Sequence, residues 1–351
     1  MQKRKLTKSD LPHLTHSKLI DAYTAISLKI FQEMQSSILK DIKSLLKSDK
    51  LIKSDKLKNN WTGDIPKLQN NLEDKVAKTI EKYLKALRYF MLGDYAGKEA
   101  KEAAESLGLI SKIKPGTAYG VYLQAVDTQR DYFKQIYDID PPNISKEILK
   151  ETFDVIQRKT DRIVTESIEK YKNKLIDAVD LAVQQKNIEN LGIVHEEAHD
   201  LLSEDKDPSK AVKQAEKYID IKAFEKNVSN INEKASTDWE TNSDSIYSMS
   251  SSVGTHQAVV EIFGQSDDSL KAVLLNMQDE KCCDSCEKFA RMPDGSLKLH
   301  KLDDFKPAGY NYGKKKADWH LCICPIHPRC RCSIIYVPAG AKVDRSGIIT
   351  F

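Results

Sequence analysis

The side chains best suited to chemistry in this sequence are cysteines, and all seven of them lie within residues 282–332. Two runs with metal-ligand spacing occur there: a Cys-x-x-Cys knuckle, and a His-x-x-Cys-x-Cys run further along the chain. Thiolate sulfur and imidazole nitrogen are the ligands that zinc prefers, at roughly 2.0–2.3 Å. We therefore predict a structural zinc site whose candidate ligands are Cys283, Cys286, His327, Cys330 and Cys332.

Other uses of these cysteines remain open at this point. Full disulfide pairing is impossible because their number is odd, and residues 1–7 are charged and lack the apolar segment of a signal peptide. We therefore expect a reducing origin, where such cysteines serve as metal ligands more often than as disulfides. Unpaired buried thiols are a further alternative. Catalytic zinc is less expected than structural zinc, because four soft protein ligands leave no position for water.

The order of these motifs resembles the C-terminal module of a phage protein family. The knuckle is followed by the turn Met292-Pro293-Asp294-Gly295, then by a variable stretch, and finally by His327-Pro328-Arg329-Cys330-Arg331-Cys332. This combination resembles the phage head morphogenesis proteins, the Mu F-like minor head proteins of tailed phages, over the last third of the chain. Residues 227–278 are similar to that family's helical run leading into the knuckle.

Three further cysteines depart from the family pattern. They are Cys282, Cys322 and Cys324. Cys322 and Cys324 could replace His327 or one of the final pair of cysteines as ligands. The spacing alone therefore predicts a metal site without deciding which four side chains hold the ion.

The resemblance implies a structural component of the virion rather than an enzyme. Such a protein would be made in the cytoplasm of the bacterial host and would reside in the capsid interior or at the portal vertex. Its partners would be the portal protein, the inner capsid wall, or both, and packaged or ejected DNA. Its role would be in head morphogenesis and in DNA packaging or ejection.

Composition outside the cysteine-rich segment favours helices. Charged residues make up 30% and aromatic residues 7% of the chain, a mixture more typical of solvated helices than of a compact α/β enzyme. The sequence contains no apolar run of 18 residues, so we predict no membrane span. The net charge of +3 is too small to indicate a broad DNA-binding face.

Apolar periodicity predicts where these helices lie. Spacings of three and four residues define a first helix, whose apolar stripe is Leu19, Tyr23, Ile26, Ile30, Met34, Ile38, Ile42 and Leu45. Further helices are predicted over residues 76–91, 96–107, 119–137 and 146–185, with Gly93 as a stop. Breaks or loops are predicted at residues 61–66, 114–116, 140–143, 203–208 and 238–252.

The predicted fold class is mainly α, with long amphipathic helices followed by a small C-terminal α+β module that zinc holds together. Short strands are expected at Leu297–Leu299 and at Cys332–Val337. Because a sheet of this size buries little apolar surface, the metal would supply much of the folding free energy. The predicted segments are an N-terminal helical region (1–140), a long-helix region (141–275), the Cys/His module (276–340) and a tail (341–351).

An enzymatic alternative depends on His195-Glu196-Glu197-Ala198-His199, which matches the H-E-x-x-H pattern of zinc proteases. On a helix, the two histidines share one face and the first glutamate can act as a general base on metal-bound water. No third histidine follows, and helices rich in glutamate produce this match by chance. We therefore interpret the segment as a solvated helix face.

A zinc-ribbon nuclease and a nucleic-acid binder are the remaining alternatives. His300 and His320 could serve a nuclease, although neither lies in a recognised motif. The segment 310–316 pairs two tyrosines with three lysines, a combination that suits nucleic acid. An exposed loop beside a zinc module explains this segment equally well and is the interpretation we favour.

Overall fold

The structure is a computed structural model that describes residues 3–5, 12–47, 61–110, 114–203, 221–264, 270–275, 283–328, 330, 332–338, 340, 342–343 and 348–350. The helices are α1 (Pro12–Lys47), α2 (Trp61–Leu92), α3 (Lys98–Ser106), α4 (Thr117–Tyr137), α5 (Lys146–Ser203), α6 (Ile221–Phe263) and α7 (Asp284–Ala290). The strands are β1 (Lys3–Lys5), β2 (Leu270–Leu275), β3 (Leu299–His300), β4 (Ser333–Pro338), β5 (Lys342–Val343) and β6 (Ile348–Thr350). The described chain is therefore mainly helical with a small C-terminal sheet, which confirms the predicted fold class at that level.

The buried face of α1 departs from the predicted stripe at Ile26. Ile30, Met34 and Ile38 are almost fully buried, as predicted, but Ile26 is 37% exposed. Ser27 is buried instead, and its hydroxyl donates to the carbonyl of Thr24 at 2.9 Å. A small polar side chain that bonds within its own helix can thus replace an apolar one on a buried face.

Helix α2 begins where the sequence predicted a break. The segment from Trp61 to Pro66 forms its first turns instead of interrupting a helix. Val76, Ile80 and Leu87 are buried as predicted. The α-helix ends at Leu92, and Gly93 follows with a φ of +61°, a conformation that favours glycine. Gly93 is therefore the stop that the sequence indicated.

The serine-rich stretch at residues 238–252 lies inside α6 and is not a loop. Three of its buried serines donate to the carbonyl four residues earlier: Ser243 to Trp239 at 2.9 Å, Ser245 to Thr241 at 2.8 Å and Ser250 to Ile246 at 2.9 Å. Because each hydroxyl is hydrogen-bonded within the helix, these short polar side chains can be buried without losing a hydrogen bond to water uncompensated.

Helices α4 and α6 approach each other closely at Gly254. A Cβ at this position would lie 2.3 Å from the carbonyl oxygen of Tyr122, so only glycine fits. At the start of α4, the Thr117 hydroxyl donates to the carbonyl of Phe90 at 3.1 Å. The hydroxyl of Tyr247 therefore donates to Thr117, at 2.9 Å. These contacts hold α6 at the position from which the chain continues into β2.

Helix α5 continues past its predicted end at residue 185 and reaches Ser203. Ile156, Ile163, Tyr171 and Leu175 are buried on it, as the apolar spacing predicted. The backbone of residues 195–199 is helical, whereas their side chains lie outside the described part of the structure. Residues 204–208 of the predicted break at 203–208 also lie outside the described residues.

The C-terminal strands form a three-stranded antiparallel sheet in the order β3-β2-β4. In the long pairing, Leu270 lies opposite Pro338 and Leu275 opposite Ser333. Strand β2 corrects the expectation of a helical run over residues 227–278, because the helix ends at Phe263. A second sheet, of order β1-β6-β5, pairs Lys3 with Thr350.

The chain divides into two compact units. One contains Met1–Leu28, Lys85–Val164 and Trp239–Phe351, and the other contains Lys29–Leu84 and Thr165–Asp238. The four segments inferred from the sequence stay a prediction. Among the helices of the described residues, none is both long and apolar enough to cross a membrane.

Candidate metal centre

The first two candidate ligands are positioned by the start of α7. Cys283 is the residue that caps this helix, and its Sγ accepts a hydrogen bond from the backbone N–H of Cys286 at 3.4 Å. One helical turn separates the two thiols, so both lie on the same side of the helix start. At the far end of α7, the turn at Met292–Gly295 forms as predicted, with the N–H of Gly295 donating to the carbonyl of Met292 at 2.9 Å.

The His-Pro-x-Cys-x-Cys segment brings the remaining candidates to the same place. His327 Nε2 lies 3.2 Å from the Sγ of Cys283 and 3.2 Å from the Sγ of Cys286. Cys286 Sγ lies 3.9 Å from Cys330 Sγ. The donor atoms form two groups, each within 4.8 Å: Cys283, Cys286 and His327, and Cys286, Cys330 and Cys332. All five residues predicted from the sequence thus belong to these groups.

The two groups could hold a metal ion. For a tetrahedral zinc bound at about 2.0–2.3 Å, neighbouring ligand atoms lie roughly 3.3–3.8 Å apart. The separations of 3.2 Å and 3.9 Å between donors are close to this range. None of the six described cysteines, four of which belong to the two groups, forms a disulfide with another described residue. Thiols and an imidazole are the donors that soft and borderline metals select.

The ring of His327 is oriented for binding through Nε2. Its Nδ1 lies 2.8 Å from the carbonyl oxygen of Pro328. Because a carbonyl only accepts, the proton of the neutral imidazole is on Nδ1, and the lone pair of Nε2 faces the thiols. The indole of Trp319 stacks on the imidazole, with ring centroids 5.0 Å apart and planes 12° from parallel. These two contacts determine both the tautomer and the plane of the ring.

Asn311 organises the loop that leads to His327. Its side-chain amide donates to the carbonyls of His320 at 2.7 Å and of Ile326 at 3.1 Å, and its Oδ1 accepts from the N–H of His320 at 2.9 Å. Asn311 is 3% exposed, so these bonds replace water for a buried amide. The sequence reasoning missed this role, and it missed that of Trp319. Only the turn-forming character of the Asn-x-Gly segment could have drawn attention to Asn311.

The pKa values of two thiols near the cluster are shifted in opposite directions. Hydrogen bonds from Cys286 and its neighbours lower the pKa of Cys330 well below that of an ordinary thiol. The hydrogen bond to Cys330, together with burial, raises the pKa of Cys324 well above its usual range.

Of the three cysteines that depart from the family pattern, two are described. Cys324 is almost fully buried, and its Sγ belongs to neither group of donors. Cys322 is also buried, but its Sγ lies 3.5 Å from the amide nitrogen of Asn311 and belongs to neither group of donors. Burial raises the pKa of Cys322 to about 12. Cys282 lies outside the described residues.

The histidines considered for a nuclease make ordinary structural contacts. His300 is 4% exposed, and its Nε2 donates to the carbonyl of Phe289 at 2.8 Å. Burial lowers its pKa, so the ring is a neutral core donor. His320 is exposed and makes an edge contact with the ring of Tyr310.

The lysines of the segment 310–316 are partly engaged by neighbours. Lys314 Nζ lies 3.2 Å from the centre of the Tyr310 ring, a cation–π contact. Lys316 Nζ lies 3.3 Å from a carboxylate oxygen of Asp284, at the start of α7. The lysines of this segment are exposed beside the cysteine cluster, which fits the loop interpretation favoured from the sequence.

Comparison of the chain with protein-family models, curated proteins and solved structures found no match.

Proposed function

We propose that this protein is a minor head protein of a tailed bacteriophage, associated with the portal or the inner capsid wall. It acts in head morphogenesis and in DNA packaging or ejection. The observation that carries this proposal is the convergence of the Cys-x-x-Cys knuckle and the His-Pro-x-Cys-x-Cys segment, 41 to 49 residues apart in sequence, on one cluster. The resemblance to the Mu F-like proteins rests on these two motifs occurring together.

The metal of this cluster is zinc, and its role is structural. Thiolate and imidazole donors at separations near those of a tetrahedral site support zinc over hard cations such as magnesium or calcium. The surrounding sheet has strands of two to six residues, which bury little apolar surface. Zinc binding then supplies folding free energy to this segment, as it does in other small zinc modules.

Extended helices support a docking role for the rest of the chain. Helices α1, α5 and α6 have 36, 58 and 43 residues, far above the mean of about 11–12 in globular proteins. On α5, Leu181 is 48% exposed. In this proposal the helices present such side chains to the portal or to the capsid wall, and no residue performs catalysis.

Quantification of this chain in purified virions tests the proposal. Mass spectrometry with isotope-labelled peptides gives its copy number relative to the major capsid protein, and DNA-free particles from the same preparation show whether it leaves with the DNA. A low, reproducible copy number per particle supports a minor head protein. Its absence from both virions and procapsids contradicts the proposal. In that case, His195→Ala and His199→Ala variants would test the metalloprotease alternative through metal content and hydrolysis.

A further inference from the structure

Two thiols of the cluster lie close enough to react with each other. The Sγ atoms of Cys286 and Cys330 are 3.9 Å apart, although 44 positions separate the two residues in sequence. A disulfide bond is about 2.05 Å long, so the two sulfur atoms would have to approach each other by about 2 Å more. Rotation of the two side chains, with a small movement of the loop, supplies that distance. The fold therefore presents Cys286 and Cys330 as a candidate modification site.

The backbone around Cys330 favours it over Cys332 as the partner of Cys286. Cys330 lies in a turn, where its N–H donates to the carbonyl of His327 at 3.0 Å. Cys332 directly precedes β4, whose first residue is paired with the last residue of β2. Because the sheet fixes the backbone beside Cys332, a movement toward Cys286 costs less at Cys330.

Two other described thiols are engaged in other contacts. Cys283 Sγ accepts the hydrogen bond from the N–H of Cys286 at the start of α7, and a bond between these two cysteines would remove it. Cys322 Sγ lies 3.5 Å from the amide nitrogen of Asn311 and outside both groups of donors. Cys330 is 9% exposed and Cys286 is 2% exposed, so a small oxidant from solvent meets Cys330 first.

We propose that Cys286 and Cys330 form a disulfide when the protein meets a peroxide. The Cys330 thiolate attacks the O–O bond, becomes a sulfenic acid and releases hydroxide. The Cys286 thiolate then attacks that sulfur and expels a second hydroxide. Two electrons thus pass from the two sulfur atoms to the peroxide, and two protons from solvent convert the hydroxides to water.

Formation of the disulfide also changes metal binding. Cys286 and Cys330 are both candidate ligands of the proposed zinc site, and a disulfide sulfur no longer binds zinc as a thiolate does. Oxidation of the zinc-bound protein therefore releases the ion. This release rests on the proposed zinc site, whereas the disulfide itself depends only on the positions of the two thiols.

The disulfide joins the same two segments that the metal is proposed to hold. It connects the start of α7 to the turn that precedes β4. A cross-link between residues this far apart in sequence restricts the unfolded chain. The C-terminal module therefore stays closed when zinc is lost in an oxidising medium, and reduction returns the thiols to metal binding.

Disulfide mapping on the full chain tests the inference. The protein is produced in a Cys282→Ser background, which removes the one cysteine that the structure does not describe. It is loaded with zinc under reducing conditions, desalted, treated with hydrogen peroxide, alkylated and digested without reduction. Trypsin cuts after the arginines on both sides of Cys330 and so separates it from Cys332. Tandem mass spectrometry should show Cys286 joined to Cys330, with one zinc ion released for each disulfide formed.

Two variants sharpen the result. The matched control Cys322→Ser removes a buried cysteine outside both groups, and it should form the same disulfide as the parent. Cys330→Ser should give no cross-link between the two segments, and circular dichroism shows whether its helices are retained. A cross-link in Cys330→Ser as abundant as that in the parent would overturn the assignment.

The outcomes separate the disulfide from the zinc site. A disulfide between any other pair of cysteines, or sulfinic acids without a cross-link, would overturn the inference and leave the zinc site standing. A protein that binds no zinc before oxidation and still joins Cys286 to Cys330 would overturn the zinc site and retain the disulfide. Hydrogen exchange over residues 283–338 should be slower in the oxidised parent than in the reduced, chelator-treated parent, and equal rates would overturn the proposed closing role.

Discussion

His327 illustrates, at the scale of single residues, how neighbours prepare a ligand before any ion binds. Its Nδ1 donates to the carbonyl of Pro328, and its ring is covered by Trp319. The free Nε2 is therefore already directed at the Sγ atoms of Cys283 and Cys286. Such outer contacts reduce the entropy that binding must remove, and their loss commonly weakens a metal site by roughly 10- to 100-fold.

Cys286 is the residue whose loss should affect metal binding most, because it belongs to both groups of donors. We expect Cys286→Ser to weaken zinc binding by more than about 100-fold. This is more than the loss of a residue that only supports a ligand, because Cys286 is itself a candidate ligand. Competition with a chromophoric zinc chelator measures this affinity. Cys322→Ser is the matched control and should bind zinc as the parent does. Equal affinities for the two variants would contradict the assignment.

Asn311 should matter through the loop it organises. Asn311→Ala leaves the carbonyls of His320 and Ile326 without their buried donor, which we expect to cost about 2–3 kcal/mol in the free energy of unfolding. Chemical denaturation measures this change. The exposed Asn70→Ala should stay within about 0.5 kcal/mol of the parent. A similarly small effect at Asn311 would show that the loop does not depend on this amide.

His256 should make stability depend on pH. Burial lowers its pKa from 6.5 to about 4 in the folded protein, where its Nδ1 lies 2.9 Å from the hydroxyl of Tyr336. Between these pH values the unfolded chain binds a proton that the folded protein does not. The free energy of unfolding therefore falls as the pH is lowered from about 6.5 to about 4, by at most about 3 kcal/mol.

The variant His256→Gln isolates this contribution from other groups that titrate in the same range. Urea denaturation at pH 7 and at pH 4.5 should show a smaller loss of stability for His256→Gln than for the parent. The exposed His320→Gln serves as the control and should follow the parent. Parallel pH profiles for His256→Gln and the parent would contradict a lowered pKa of His256 in the folded protein.

Helix–helix contact depends, at the scale of the elements, on residues with little or no side chain. Gly254 allows α6 to approach Tyr122 on α4, and the serines of α6 bond back to their own helix. Sequence patterns treat stretches rich in Ser, Asn and Asp as loop-like or helix-capping, so the stretch 238–252 was predicted as a break or loop. Their use in close helix packing depends on the neighbouring helix, which no local pattern contains.

Gly254→Ala should destabilise the protein through this contact. The added methyl group would lie 2.3 Å from the Tyr122 carbonyl and 3.0 Å from Ala125 Cβ, and such overpacking typically costs about 1–3 kcal/mol. Gly120→Ala on α4 is the matched control, because nothing lies within 4 Å of its added Cβ. Since alanine favours the helix, Gly120→Ala should be neutral or stabilising by up to about 1 kcal/mol. Thermal denaturation of both variants measures the difference, and equal shifts would exclude a tight contact at Gly254.

Strands were harder to predict than helices. The β-branched segment before Pro338 forms β4 as expected, because alternation and composition are local properties. Strand β2 at Leu270–Leu275 was missed, since a short apolar run is compatible with a helix or a strand by periodicity alone. Its pairing with β4, which lies 58 or more residues later in the chain, makes it a strand.

For the molecule as a whole, the donor pattern was predictable and the arrangement of donors was not. Spacing singled out Cys283, Cys286, His327, Cys330 and Cys332 because metal ligands recur at short intervals. The convergence of these donors into two groups that share Cys286 depends on a loop that Asn311 closes. Such closure depends on tertiary contacts, and these are not encoded in any short motif.

Hydrogen–deuterium exchange of the full chain, with and without zinc, tests most directly the claim that metal holds the C-terminal module together. Removing zinc with a chelator should accelerate exchange in peptides covering residues 283–338 by orders of magnitude, because their short strands lose the metal's folding free energy. Peptides from α4, whose core residues Val121 and Tyr122 are fully buried, should retain slow exchange. Unchanged protection of residues 283–338 after complete zinc removal would contradict the account.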